Sequence, residues 1–505
     1  MLRWLLPKSA LDEADVKKGL KFLLLDGIFS QVMGVFTGGA FLIAFALLLG
    51  ASNKVIGLLA AIGPLTQILQ IPAIYMVDRV RARKLLVVVS NAVGRLSWIL
   101  VAAMVWFLPQ SSQLPVLLMA LFVYFGLGSI AGCAFNSWMR DFVPEKVMGS
   151  YFARRMAIAV ALGAALSIVA GAGIDLYKKF MTPEIGAYSI LFGLGAVAGL
   201  IGLTFLSRVP EPKMTSEPGR GLLARLSPPF KDPNFRQLLA FLGSWNFAIN
   251  LAGPFFTVYL LLRLNLSMTW VIGLSVLSQI FHVLFLRLWG NLADRFSNKS
   301  VLSVAGPLFM ISILAWPFTT MPEKHFLTIP LIIAIHVLAG MSTAGVNIGA
   351  GNIALKSAPK GTATAYLATN ALISGVAATI APVLAGIAAD WFGTQELTLT
   401  LKWVKSAPIL RELNVPAFNL RGLDFLFVVS FLFGLYAMHR LLSVKEVGEV
   451  EEEIVKTELY AQVQKAMKNV STVAGIRHLT YFPYEKLKDV AASIGILSKR
   501  NKEDP

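Results

Sequence analysis

Charge is what this 505-residue chain has least of. Asp, Glu, Lys and Arg together make up 14% of it, where soluble globular proteins carry about 25%. Hydrophobic residues make up 56%, with a mean hydropathy of +0.68, which is too much apolar surface for a protein in water. Cys133 is the single cysteine, so an internal disulfide and any cysteine-based metal site are excluded. Segments of about ten residues alternating in polarity are missing, which excludes an outer-membrane barrel. A GxxxxGK[ST] stretch is missing, which argues against ATP as the direct energy source. Nucleophile–base pairs and His/carboxylate clusters are also missing, so we expect no enzyme, no metal and no cofactor. Residues 1–21 are of mixed charge, and the apolar run after them is longer than the about 7–15 residues of a signal-peptide core. A cleaved leader is therefore not expected.

What is present is length without charge. Crossing about 30 Å of hydrocarbon takes about 20 apolar residues. Twelve runs qualify: 22–48, 55–77, 85–108, 114–137, 155–175, 187–207, 236–262, 270–289, 301–320, 327–354, 364–389 and 423–442. The expected architecture is an all-α polytopic membrane protein with twelve spans in two six-helix halves. An N-terminal segment covers 1–21, the halves 22–207 and 236–442, a linker 208–235 and a tail 443–505. The net charge is +17. Most of the 45 Lys and Arg fall in the N-terminal segment, the even-to-odd loops and the tail. The positive-inside rule explains this without nucleic acid and places both termini in the cytoplasm, with the chain in the plasma (inner) membrane. The lipid bilayer is then its surroundings, and a monomer suffices.

The halves repeat one another. Asp78-Arg79, after span 2, recurs as Asp294-Arg295 after span 8, an offset of 216. Pro144, Tyr151 and Asp175 recur as Pro359, Tyr366 and Asp390, an offset of 215. Parallel repeats of this kind place a solute path at the midplane between the halves.

The second copy, Gly290-Asn291-Leu292-Ala293-Asp294-Arg295 followed by Lys299, resembles the loop signature GxLaDRxGRrk of the major facilitator superfamily. The first copy keeps Asp78, Arg79, Arg83 and Lys84, with Ile74 and Arg81 where the family has glycines. Arg208-Val209-Pro210-Glu211-Pro212, closing span 6, also resembles the family, and the likeness covers roughly residues 20–445. It implies a secondary transporter working by alternating access. It also implies a conformational latch, for which Asp78 with Arg83, and Asp294 with Arg295, are the expected pairs, with Arg79 beside them. The GPxxGG pattern of drug antiporters is missing from span 5, and so is the PESPR of sugar porters.

Charges inside the bilayer are the strongest functional pointers, because each costs about 2.5 kcal/mol or more at its centre. Arg95 lies eleven residues past Lys84, ~16 Å deep at helical rise. It either binds an anionic group of the solute or holds a carboxylate. Asn91 shares its face. Asp26, early in span 1, is either a carrier of a coupling proton with Arg95 as partner, or a first-turn carboxylate at the membrane surface. Their repeat positions are the apolar Ile311 and Leu242. His282 and His336 are proton-carrier or donor candidates. Gln31, Gln67, Tyr124, Asn246, Asn250, Gln279 and Asn370 are polar candidates for a solute cavity or for interhelical hydrogen bonds. Arg154 and Arg155 are placed to pair with Asp141 or Glu145, or serve as topogenic charge.

Amphipathic helices are expected near 221–226 and in the tail, where Leu459, Val463 and Met467 fall at helical spacing, and Tyr481 to Tyr484 is a candidate membrane-interface anchor. The function expected is secondary active transport of a small organic solute, driven by protons. The alternatives are an efflux permease of the same fold, or a non-transporting sensor or scaffold built on it.

Overall fold

The structure is a computed structural model that describes residues 7–8, 11–214, 228–321, 323–358, 363–405, 411–446, 448, 450 and 452–474. Twelve of its helices are long and apolar enough to cross a membrane. They are α1 (Glu13–Leu48), α2 (Asn53–Val80), α3 (Arg83–Phe107), α4 (Gln110–Phe142), α5 (Glu145–Phe180) and α6 (Ile185–Leu206), then α7 (Pro233–Arg263), α8 (Met268–Arg295), α9 (Asn298–Thr320), α10 (Thr328–Lys356), α11 (Ala363–Phe392) and α12 (Leu423–Leu442). Each expected run falls on one of them. The helices exceed the apolar runs because polar caps extend them beyond the hydrocarbon. Asp12 accepts the Asp15 N–H at the start of α1, and Asp232 accepts those of Asn234 and Phe235 at the start of α7.

Local breaks have local causes. In α1, Gly38 is extended and Gly39 takes a φ of +55°, a left-handed turn that suits glycine. In α2, Pro64 is followed by a 3-10 turn at Gln67–Leu69. Arg81, where the family signature has glycine, also sits left-handed at φ +52°.

The two halves pack alike. In the first, α1 lies against α5 and α6, and α3 against α4. In the second, α7 lies against α11 and α12, and α9 against α10. The halves meet where α2 crosses α11 and α5 crosses α8. At the first crossing the backbones touch, and a Cβ on Gly386 would stand 2.5 Å from the Asn53 carbonyl oxygen.

Two elements lie outside the spans. The 390–422 stretch, read as a plain loop, holds an antiparallel hairpin of β1 (Glu396–Lys405) and β2 (Arg411–Arg421). The tail carries α13 (Glu452–Ala474), which docks on α8 and α9 with Val455 fully buried. The expected helix at 221–226 and the aromatic stretch 481–484 lie outside the described residues.

Candidate functional site

We call the end of the bundle that carries Asp78-Arg79 and Asp294-Arg295 the signature end, and the other the far end. α1 brings Asp26 and Ser30 to one face, a helical turn apart, and α3 brings Arg95 against them. Asp26 is 3% exposed and Arg95 7%. Arg95 Nη2 stands 3.8 Å from Asp26 Oδ1 and donates to Ser30 Oγ at 3.0 Å, while Nη1 donates to the Gly199 carbonyl of α6. The Ser30 hydroxyl donates to Asp26 Oδ1 at 3.2 Å.

A third charge completes the cluster. Arg155 of α5 places Nη2 3.7 Å from Asp26 Oδ2. Its Nε is buried and makes no hydrogen bond among the described residues. Two guanidiniums thus face one carboxylate. Both stand close enough for Coulomb attraction but beyond direct hydrogen-bond length. The arrangement carries a formal charge of +1 and leaves donor capacity unfilled. Gly27 and Gly199 make it possible, because a Cβ on Gly27 would run into the Arg155 guanidinium and one on Gly199 into Met33 and Arg95.

The other sequence candidates divide. In the first half, Tyr124 packs edge-on against Trp98 at 5.7 Å, Gln31 approaches Gly163 of α5, and Gln70 donates to Gln67 near the α2 turn. Asn91 makes no hydrogen bond among the described residues. In the second half, Asn246 donates to Ser374 of α11 at 3.2 Å, and Ser374 to Asn370 at 3.4 Å. Asn250 donates to the Asn246 carbonyl at 2.8 Å. These are interhelical and intrahelical bonds that tie α7 to α11. Gln279 is exposed and His282 half-buried on α8. His336 is buried, with Nδ1 2.8 Å from the Ile332 carbonyl. It borders a cavity of about 300 Å³ walled by Phe256, Ser275, Ser278, Phe309 and Trp316. Among the described residues, no three His, Cys, Asp or Glu side chains converge.

The latch pairs expected at the signature end do not form. Arg83 turns away from Asp78 and is fully buried. Its Nε donates to Glu211 at 3.1 Å and its Nη1 to Asp141 at 2.5 Å. The Glu211 carboxylate also accepts the Arg83 and Lys84 N–H groups, capping α3. A fully buried guanidinium needs compensating carboxylates, and Glu211, held against the α3 N-terminus, supplies one at no cost in exposure. Arg79 is exposed. In the second half, Asp294 is exposed and Arg295 pairs with Glu458 of α13 at 2.8 Å. Asp141 is taken by Arg83, so Arg155 is left to reach Asp26.

At the far end the repeat becomes a joint. Asp175, closing α5, accepts the Met268 and Thr269 N–H groups at the start of α8, at 3.0 and 2.8 Å. Asp390, closing α11, accepts those of Asn53 and Lys54 at the start of α2, at 3.0 and 3.1 Å. Ser267 and Ser52, also 215 apart, cap the same two helices. Each aspartate thus bridges one half to the other, its charge set against a helix N-terminus.

Solved structures share this architecture. The nucleoside transporter NupG superposes with a TM-score of 0.61 at 13% identity, over 85% of this chain and 98% of that one. A bacterial homologue of the iron transporter ferroportin, in an inward-facing state, gives 0.61 at 12%, over 86% and 100%. A bacterial homologue of the human lysosomal transporter Spinster, inward-facing and unoccupied, gives 0.60 at 13%, over 86% and 98%. Likeness at this identity is likeness of fold. No curated protein matches the sequence. The family model of the Major Facilitator Superfamily matches residues 27–382. With twelve membrane-length helices in two matching halves, the chain belongs to the Major Facilitator Superfamily and is a multi-pass membrane protein with the fold of membrane transporters.

Proposed function

We propose that the protein is a secondary active transporter that moves a small organic solute by alternating access, with protons as the coupling ion. It sits in the plasma (inner) membrane with the signature end and both termini in the cytoplasm, as the placement of Lys and Arg supports. The observation that carries the reading is the Asp26–Arg95–Arg155 cluster. A scaffold has little use for two buried charges and a half-buried third inside a six-helix half, expensive as they are to keep there. Asp26 is the proton carrier, and Arg95 and Arg155 set its charge state. The halves are joined at the far end by Asp175 and Asp390, a joint of two equivalent caps that breaks and re-forms as the halves rock. The docked α13 lies on α8 and α9 of the second half, so it moves with that half.

The test is proton flux in proteoliposomes loaded with a pH-sensitive dye and challenged with sugars, amino acids, carboxylates and amines. At least one solute should drive acidification or alkalinisation of the lumen, and Asp26→Asn should abolish that flux while leaving the protein folded. If no solute moves protons, or if Asp26→Asn moves them as wild type does, the proton-coupled reading is wrong.

A further inference from the structure

The charge balance of the buried cluster points to the kind of solute. This inference rests on the transport reading above and deepens it. Around Asp26 the surroundings are all cationic or neutral. α3 contributes Arg95, α5 contributes Arg155, α1 contributes Ser30, and α6 contributes the Gly199 carbonyl. Tyr151, one turn before Arg155, has its hydroxyl committed to the Leu20 carbonyl at 2.8 Å. Among the described residues, Asp26 forms no ion pair with the second half. The single carboxylate is bonded by one hydroxyl and held off at 3.7 and 3.8 Å by two guanidiniums. Those guanidiniums have N–H groups left to give, including the buried, unbonded Nε of Arg155.

We propose that the solute is a small organic monoanion bearing a carboxylate, and that this group exchanges with Asp26 between Arg95 and Arg155. As the anion enters, Asp26 takes one proton from the aqueous side onto a carboxylate oxygen and withdraws as a neutral acid. The formal charge of the cluster is +1 before the exchange. Afterwards it is again +1, from two guanidiniums, one solute anion and a neutral Asp26. A guanidinium fork matches a planar or tetrahedral oxyanion with paired short hydrogen bonds, which Asp26 in its present position does not accept. A cationic solute would enter a site already positive, and a neutral one would accept the Arg155 N–H groups without offsetting their charge. Arg155 is about a quarter exposed, against 9% for the Arg95 side chain. It is therefore the first of the two to meet an arriving anion, and Arg95 fixes the anion once Asp26 has left. One proton thus accompanies each monoanion, and transport carries no net charge.

The experiment uses full-length protein in lipid nanodiscs. The probes are lactate, benzoate and pyruvate, each beside its uncharged twin lactamide, benzamide and pyruvamide. At least one anion should raise the unfolding temperature where its twin does not, and in weakly buffered solution its binding should take up one proton per site. Arg155→Gln, at the exposed edge of the cluster, should weaken that binding about tenfold or more, as loss of a charge-assisted hydrogen bond does. Asp26→Asn should bind the anion without proton uptake. Binding of the twins alone, of no anion, or of anions without proton uptake by wild type overturns the inference. Counterflow of the bound probe in proteoliposomes separates the two readings. An anion that binds as described but is not exchanged across the membrane sinks the transport reading and leaves the site standing. A neutral solute that is exchanged does the reverse.

Discussion

The two halves of the molecule share a backbone plan but not a chemistry. In the first, α1 and α3 carry Asp26 and Arg95 into the bundle. In the second, helix starts and caps lie 215 residues on, so the corresponding positions on α7 and α9 are Phe241 and Met310, both fully buried and apolar, rather than Leu242 and Ile311. Where the first half has a charged cluster, the second has aromatic rings, serines and one histidine around a cavity. The difference extends to the signature end. Arg83 is fully buried between two carboxylates, while Arg295 lies on the surface and is paired with the tail. The halves match in chemistry as well as fold at the far end, and in the carboxylate caps at the starts of α3 and α9, where Glu211 accepts the Lys84 N–H and Glu446 the Lys299 N–H. Duplication thus preserved what joins the halves, and the buried charged cluster stands in one of them.

The sharpest way to break the comparison is at Arg95 and its counterpart. Arg95→Leu leaves Asp26 buried with one distant partner and should cost about 3–5 kcal/mol of stability. Met310→Leu, which keeps an apolar side chain of similar volume at the counterpart, should cost under about 1.5 kcal/mol. The double variant Asp26→Leu/Arg95→Leu, which makes the first half resemble the second, should recover much of the loss. Denaturant unfolding in micelles reads all three, and equal losses for the two single variants would remove the asymmetry.

The signature end gives the next contrast. Arg83→Gln abandons Glu211 and Asp141 and should cost about 3 kcal/mol or more. Arg295→Gln removes an exposed pair and should cost about 0–1 kcal/mol. The same unfolding measurement decides, and an Arg295 variant as damaged as the Arg83 variant would mean the tail contact is integral to the second half.

At the far end the expectation reverses, because the two sites should agree. Asp175→Asn and Asp390→Asn each weaken a helix cap and should each cost about 0.5–2 kcal/mol. The two losses should agree within about 1 kcal/mol, Asp175 the larger because it also accepts the Thr269 hydroxyl at 2.5 Å, and add in the double variant, since distant sites without shared partners are additive. A large inequality would show that one crossing alone holds the halves together.

Much of this was legible in the sequence. Apolar runs of about 20 residues with polar caps gave every span, and the offsets of 215 and 216 gave the duplicated plan. Asp26 and Arg95 are conspicuous as charges in apolar runs, and Arg95 stands as a partner for Asp26 at somewhat greater depth. Arg155 was not legible as part of the site. It begins a span, where the positive-inside rule already accounts for a cation, and nothing in helical spacing says which neighbour α5 presents it to. Arg83 was read towards nearby Asp78, whereas its partner Glu211 lies 128 residues away. A burial-driven pairing of that kind is invisible to local pattern. The hairpin was visible in part. Leu397, Leu399 and Leu401 alternate with Thr398 and Thr400, the period-two pattern of a strand, but loop length drew the reading instead. Asp175 and Asp390 were noticed as repeat markers, and their use as caps across the halves needed the three-dimensional crossing.

Alternating access requires the halves to rock about a solute site, one end opening as the other closes. Spin labels on cysteines introduced at Met181 and Trp270 report the far end, and labels at Arg79 and Asn291 the signature end, in a Cys133→Ser background. In lipid bilayers, the Asp175→Asn/Asp390→Asn double variant should lengthen the far-end distance and shorten the signature-end distance together. A far end that opens while the signature end stays fixed, or two distances that do not change, would contradict alternating access by this chain.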